Sequence, residues 1–257
     1  MELSIEHHRL IISYKGTNYF GWQELGDSQL KPTIQSAVHH ALKKICKYQD
    51  VIISAASRTD AGVHAQGQVL KITIPIVIES QKLLLGMNSL LPDDIRILEC
   101  EPCSSEFNPN KDSKSKKYHY YFCTDAIHNP VLNDTVAHTP SLEIELMQEA
   151  CKLFIGEHNF SSFAKRDVNM HSSLRRVVSC EILATHSLLL GSQVYYLEIV
   201  GTGFLRYMVR YIAGALFSLG KGQITLSDIS EALASDKEKK ISSRAKSKGL
   251  HLIEINY

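Results

Sequence analysis

The sequence lacks any apolar run approaching the ~20 residues that a membrane-spanning helix needs. Its opening, MELSIEHHRLIISY, has no basic stretch followed by an apolar core and a small-residue cleavage site, so the expected compartment is the cytoplasm. Cysteine is scarce, with six in 257 residues, and several fall inside apolar helix or strand patterns. That usage reads as reduced, packed thiols. One pair, Cys100 and Cys103, has Cys-x-x-Cys spacing in CEPC. No second pair or histidine set follows at zinc-site spacing, so no metal is expected. The SSEFNPN that follows reads as loop, where a redox dithiol would open a helix. Charge of one sign is also missing: 28 basic against 27 acidic side chains leave a net charge of +1. Overall charge therefore does not announce a nucleic-acid partner. No low-complexity tract is present.

What is there fits a globular α+β chain. It is 44% hydrophobic and 21% charged, enough to fill one large core or two coupled ones. Strand patterns occur at 10–16, 51–56, 68–74 and 94–102. In the third, Leu70, Ile72 and Ile74 alternate with Lys71 and Thr73, which predicts one wetter face. A helix over 33–46 places Ile34, Val38, Ala41, Leu42 and Ile45 on one stripe. A second helix, 81–91, stops at Pro92. The order β-α-β-β-α-β is the ferredoxin-like unit.

The second half repeats this order. A strand is expected at 116–124, a helix at 141–158 with Ser141 as N-cap, and strands at 175–186 and 194–201. A helix over 204–222 ends at Gly220 or Gly222, a short helix follows at 225–235, and a strand at 251–257 closes the chain. The expected domains are 1–108 and 109–257, two halves sharing one antiparallel sheet, with helices on its outer faces and a crease suited to a long ligand. Basic residues cluster in KDSKSKKYHYYF (Lys111, Lys114, Lys116, Lys117), in Lys165, Arg166, Arg175 and Arg176, and in DKEKKISSRAKSK. Each run taken singly reads as solvated surface. Together, and beside aromatics, they suit a polyanion groove.

Two nucleotide-binding patterns fail on inspection. GTGFLR at 201–206 has Arg206 where a dinucleotide fingerprint needs its third glycine. GALFSLGKG ends a helix, and Gly222 stands where a phosphate loop needs Ser or Thr. The stretch SRTDAGVHAQGQVL, Ser57 to Leu70, is more informative. One reading is a plain turn, with Asp60 capping its own backbone and Gly62 supplying a positive φ. The other is an active carboxylate. Arg58 lies two residues away and, in extended chain, on the same side, where a cation would hold the acid ionised as a nucleophile requires. A single carboxylate is half of what ordinary glycoside hydrolysis uses.

GWQ at 21–23, TIQ at 33–35, SRTDAGVHAQGQV, KKYHYYF, FIGEHNFSSF, FLRYMVR and the closing GLHLIEINY occur in the order and spacing of the tRNA pseudouridine synthase A family, which the whole chain resembles. RTDAGVHA is the most specific of these motifs. The resemblance implies a cofactor-free isomerase acting on uridines 38, 39 and 40 of the tRNA anticodon stem-loop. It implies a pseudouridine synthase fold and a homodimer. Because the base is never lost and no water is activated, one acid suffices. By its match, Asp60 is the nucleophile. Tyr118 matches the tyrosine that stacks on the extruded uracil and assists loss of the C5 proton. Arg210 matches the arginine that pairs with the nucleophile. Arg58 is assigned to base flipping or to gripping a phosphate, and Arg206 to a phosphate.

Three positions depart from the family pattern. Lys246 stands where proline is common, Glu24 where a basic or neutral residue is usual, and Lys117 where arginine is frequent, which keeps the charge but loses the planar fork. Two other readings remain: an RNA-binding protein that no longer catalyses, and a glycoside- or nucleoside-cleaving hydrolase. Intact RTDAGVHA, Tyr118 and Arg210 argue against the first. Retention of the base in RNA distinguishes the isomerase from the second.

Overall fold

The computed structural model describes residues 5–24, 32–165, 172–186, 191–235 and 238–257; Arg166 and Lys237, two of the basic residues noted above, lie outside them. The fold is α+β, with a large, mostly antiparallel sheet. The chain divides into two compact units, Met1–Lys114 with Leu252–Tyr257, and Ser115–His251. Among the described residues no helix is long and apolar enough to cross a membrane.

The first unit runs β1 (Glu6–Tyr14), α1 (Ile34–Ile45), β2 (Ile52–Ala55), β3 (His64–Ile74), α2 (Ser80–Leu90) and β4 (Ile95–Pro102). This is the ferredoxin-like order. Strand β1 lies between β4 and β3, antiparallel to both, with Leu10 opposite Leu70 and Ile12 opposite Gln68. The alternation in β3 is as read: Leu70, Ile72 and Ile74 are buried while Lys71 and Thr73 are half-buried. Helix α1 starts at Thr33, whose hydroxyl accepts from the Ser36 amide while the Ser36 hydroxyl accepts from the Thr33 amide. That reciprocal pair satisfies two amides that would otherwise lack intrahelical partners. The helix buries Ile34, Val38, Ala41 and Leu42, as the stripe requires. Helix α2 ends at Leu90, before Pro92.

The second unit runs β5 (Ser115–Cys123), β6 (Ala137–His138), α3 (Ile144–Cys151), β7 (Gly156–Asn159), β8 (Leu174–His186), β9 (Gln193–Gly201), α4 (Met208–Gly220) and α5 (Leu226–Ala234), then enters β10 (Leu250–Asn256). Strands β5, β9, β8 and β7 pair antiparallel in that order, and β6 adds parallel to β5. Tyr120 and Phe122 of β5 both pack edge-on against Phe217 of α4, with ring centroids at 5.7 and 5.1 Å. Helix α4 ends in a Schellman turn: Gln223 N–H donates to the Ser218 carbonyl and Gly222 N–H to Leu219, with Gly222 at φ 68°.

The structure corrects four expectations. Ser141 is not a cap: it sits at φ 58°, and Glu143, whose amide donates to the Gly220 carbonyl, precedes the first turn of α3. The helix expected over 141–158 stops at Cys151, passes through one 3₁₀ turn at Lys152–Phe154 and gives way to β7. Gly156 at φ 116° turns the chain out of helix there, and Glu157 and His158 pair with Arg176 and Arg175 of β8. Helix α4 begins at Met208, not at Phe204, because Tyr207 takes a left-handed φ of 66°. The run from Lys111 to Lys117 is not uniformly solvated, since Lys116 is 8% exposed and burial drops its ammonium pKa to about 8.

Candidate active site

Asp60 lies in the crossing from β2 to β3, and the residues around it fix that crossing from several sides. Gln68, fully buried, accepts from the Ser57 amide through Oε1 at 3.2 Å and donates through Nε2 to the Ser57 carbonyl at 2.6 Å. A side-chain amide thus replaces one rung of the ladder where the two strands part. Thr59 is buried, and its hydroxyl meets that of Tyr14 at 2.7 Å. The Thr59 carbonyl accepts from the Trp22 amide at 3.0 Å. Asp60 to Val63 then forms a tight turn, with Val63 N–H on the Asp60 carbonyl and Gly62 at φ 75°. Such a φ at the third position belongs to a type II turn and favours glycine.

The GWQ and TIQ segments hold the outer side of this turn. Gly21 sits at φ 88°, and a Cβ on it would come within 2.6 Å of the Thr59 carbonyl oxygen and 2.8 Å of the Asp60 carbonyl carbon. Only glycine lets these backbones meet. The carbonyls of Gly21 and Trp22 accept from Ile34 and Gln35 in the first turn of α1, which ties the helix start to the segment that braces the Asp60 turn. His64 follows, buried, with Nδ1 accepting from the Gly16 amide, which leaves its proton on Nε2. Asp60 itself is half-buried and Arg58 is exposed. Among the described residues Arg58 makes no ion pair with Asp60 or any other carboxylate.

Tyr118 and Arg210 belong to the second unit. Tyr118, paired with Ile199 of β9, is 7% exposed and meets the Phe204 ring edge-on at 5.2 Å. Arg210, in the first turn of α4, is 7% exposed. Its Nε donates to the Ala245 carbonyl at 2.9 Å, and the Ala245 amide donates back to the Arg210 carbonyl at 3.0 Å. A guanidinium buried and held in this way is not a solvated helix-surface charge. Lys246 has φ −60°, an angle proline also adopts, and its carbonyl accepts from the Tyr120 hydroxyl at 2.8 Å. The departure there from proline leaves the local backbone in the shape proline would give. Burial raises the Cys100 thiol to about 11 and also raises that of Cys103, which leaves CEPC without an activated thiolate.

A family profile described as tRNA pseudouridine synthase matches residues 10–108 and 150–257. This chain belongs to the tRNA pseudouridine synthase family. Among tRNA pseudouridine synthases, it is 47% identical to tRNA pseudouridine synthase A 2 of Desulfotalea psychrophila, over 98% of each chain. It is 36% identical to tRNA pseudouridine synthase A 2 of Protochlamydia amoebophila, over 99% of this chain and 95% of that one. It is 32% identical to tRNA pseudouridine synthase A of Methylacidiphilum infernorum, over all of this chain and 98% of that one. A chain of the crystallised Cbf5-Nop10-Gar1 complex aligns with 95% of this chain and 57% of its own length, at 13% identity and a TM-score of 0.31, too slight a likeness to bear on the site. A tRNA pseudouridine synthase is an isomerase acting on uridine in tRNA.

The motifs single out Asp60 in this synthase but do not show how it is held. Trp22, Thr59 and Gln68 lie within GWQ and SRTDAGVHAQGQV, and Tyr14 lies outside both, but the task of each shows only once its partner, up to 45 positions away, is known. Phe204, which packs on Tyr118, carried a weak signal as the first residue of FLRYMVR.

Proposed function

We propose that this synthase converts uridine to pseudouridine at positions 38, 39 and 40 of the tRNA anticodon stem-loop, with Asp60 as the nucleophile and no cofactor. In the net change the N1–C1′ bond breaks and a C5–C1′ bond forms. C5 loses its proton and N1 gains one, so atoms balance without water or a leaving group. The carboxylate of Asp60 attacks the target nucleotide once it has been swung out of its stack. Arg210 supplies the counter-charge that keeps that carboxylate ionised. Tyr118 offers a ring on which the uracil stacks and a hydroxyl that assists departure of the C5 proton. Arg58, exposed and without an ion pair among the described residues, is available to the vacated base stack or to a phosphate. A homodimer belongs to the same reading, since basic runs from two copies help a chain of net charge +1 grip tRNA.

The observation that carries this reading is the Asp60 turn, which bears the RTDAGVHA motif and is pinned by Tyr14, Gly21, Trp22 and Gln68. A functional carboxylate needs such a fixed mount. The test is to incubate the purified protein with unmodified tRNA, map pseudouridine by position and assay the supernatant for free uracil. Pseudouridine at one or more of positions 38–40 with no free base is the expected result. Released uracil would favour the hydrolase. Tight tRNA binding without any conversion would favour the RNA-binding protein.

A further inference from the structure

We propose that Arg244, stacked on Tyr207, grips a backbone phosphate of the RNA substrate, an assignment that rests on tRNA being that substrate. The Arg244 guanidinium lies 3.9 Å from the centre of the Tyr207 ring. Those of Arg206 and Arg210 lie 5.0 and 5.5 Å from the same ring. Like charges gathered about one ring repel one another, and the ring quadrupole offsets only part of that. Arg210 is buried and committed to the Ala245 carbonyl. Arg206 and Arg244 are exposed, and among the described residues neither has a carboxylate within 4.0 Å. Arg206 and Arg244 thus set two exposed positive charges near the start of α4, where the helix end adds its own partial charge.

The alternative is that Arg244 only fastens the segment 240–245 to α4. Other contacts already do so. Lys240 lies 5.3 Å over the Tyr211 ring and donates to the carbonyls of Ser161 and Ala164. The Ser243 carbonyl packs so closely on Gly214 that a Cβ there would stand 2.0 Å away. Ala245 and Arg210 exchange backbone and side-chain hydrogen bonds. The two cations on this segment thus differ. Lys240 spends its ammonium on protein carbonyls, whereas Arg244 donates to no acceptor among the described residues. Tyr207, meanwhile, holds φ 66°, which costs an L-residue about 1 kcal/mol and sets its ring where the three arginines meet. A guanidinium oriented by an aromatic ring has a planar donor edge that matches two phosphate oxygens.

The test measures tRNA binding by anisotropy between 50 and 200 mM salt for the wild type, Arg244→Gln and Arg244→Lys, with single-turnover conversion at saturating tRNA alongside. Arg244 is exposed, so neither variant removes buried packing. Arg244→Gln is expected to weaken binding roughly tenfold at low salt. It should also make the slope of log affinity against log salt shallower by about one. The saturated single-turnover rate should stay as in the wild type. Arg244→Lys should keep the slope and lose part of the affinity, because the charge remains but the planar fork does not. Wild-type slope and affinity in Arg244→Gln would overturn the proposal, as would a lowered saturated rate with binding unchanged. If the wild type binds tRNA but does not convert it, the functional reading falls and the slope comparison still decides this one. If it binds no tRNA, both fall.

Discussion

The hydroxyl pair of Tyr14 and Thr59, 2.7 Å apart and buried, connects β1 to the residue just before Asp60. Removing one partner of a buried hydrogen bond leaves the other unsatisfied, at about 1–3 kcal/mol. Tyr14→Phe is therefore expected to lower unfolding stability by that amount in urea titration. It should reduce turnover more than it reduces tRNA affinity, because it loosens the mount of the carboxylate and no RNA-binding group. Unchanged turnover would show that the turn is held without it. At Tyr118 the ring and the hydroxyl have separable tasks. Tyr118→Phe keeps the ring that packs on Phe204, so binding should hold while single-turnover conversion slows. Equal kinetics would remove the hydroxyl from the chemistry.

Among the elements, the sequence was most legible where local pattern and tertiary burial agree. Alternation marked β3, the Ile34–Leu42 stripe marked α1, and Pro92 marked the end of α2. It was least legible where a non-local partner decides. Strand β7 exists because Glu157 and His158 find Arg176 and Arg175, and the early end of α3 turns on one glycine angle. The delayed start of α4 has the same origin, in a Tyr207 backbone angle that no propensity foretells. Lys246 offers a test at this scale. Its φ is −60°, and among the described residues its amide has no hydrogen-bond partner. Proline loses nothing there and restricts the unfolded chain, which is worth about 0.4–1 kcal/mol. Lys246→Pro should raise the melting temperature slightly and retain activity. A lowered melting temperature would show that the Lys246 side chain or amide is needed.

For the whole molecule, the buried Lys116 ties stability to pH. Burial lowers its folded-state pKa from 10.5 to about 8, so between those values the unfolded chain binds more protons than the folded one. Stability contributed by this residue therefore rises as pH climbs from about 8 toward 10.5, and below 8 the full cost of the buried charge is felt. The stability of Lys116→Met relative to wild type should be greatest near neutral pH and should shrink across that window. A difference independent of pH would mean that Lys116 does not titrate as a buried group. That one lysine of four in KDSKSKK is buried was not legible from composition. It follows from Lys116 sharing the inward face of β5 with Tyr118, Tyr120 and Phe122.

The central claim, that Asp60 does the chemistry, is tested most directly by tritium release from C5-labelled tRNA under single-turnover conditions, with binding measured in the same samples. For Asp60→Ala we expect no release above background and tRNA affinity close to wild type. Release at the wild-type rate in that variant would contradict the account.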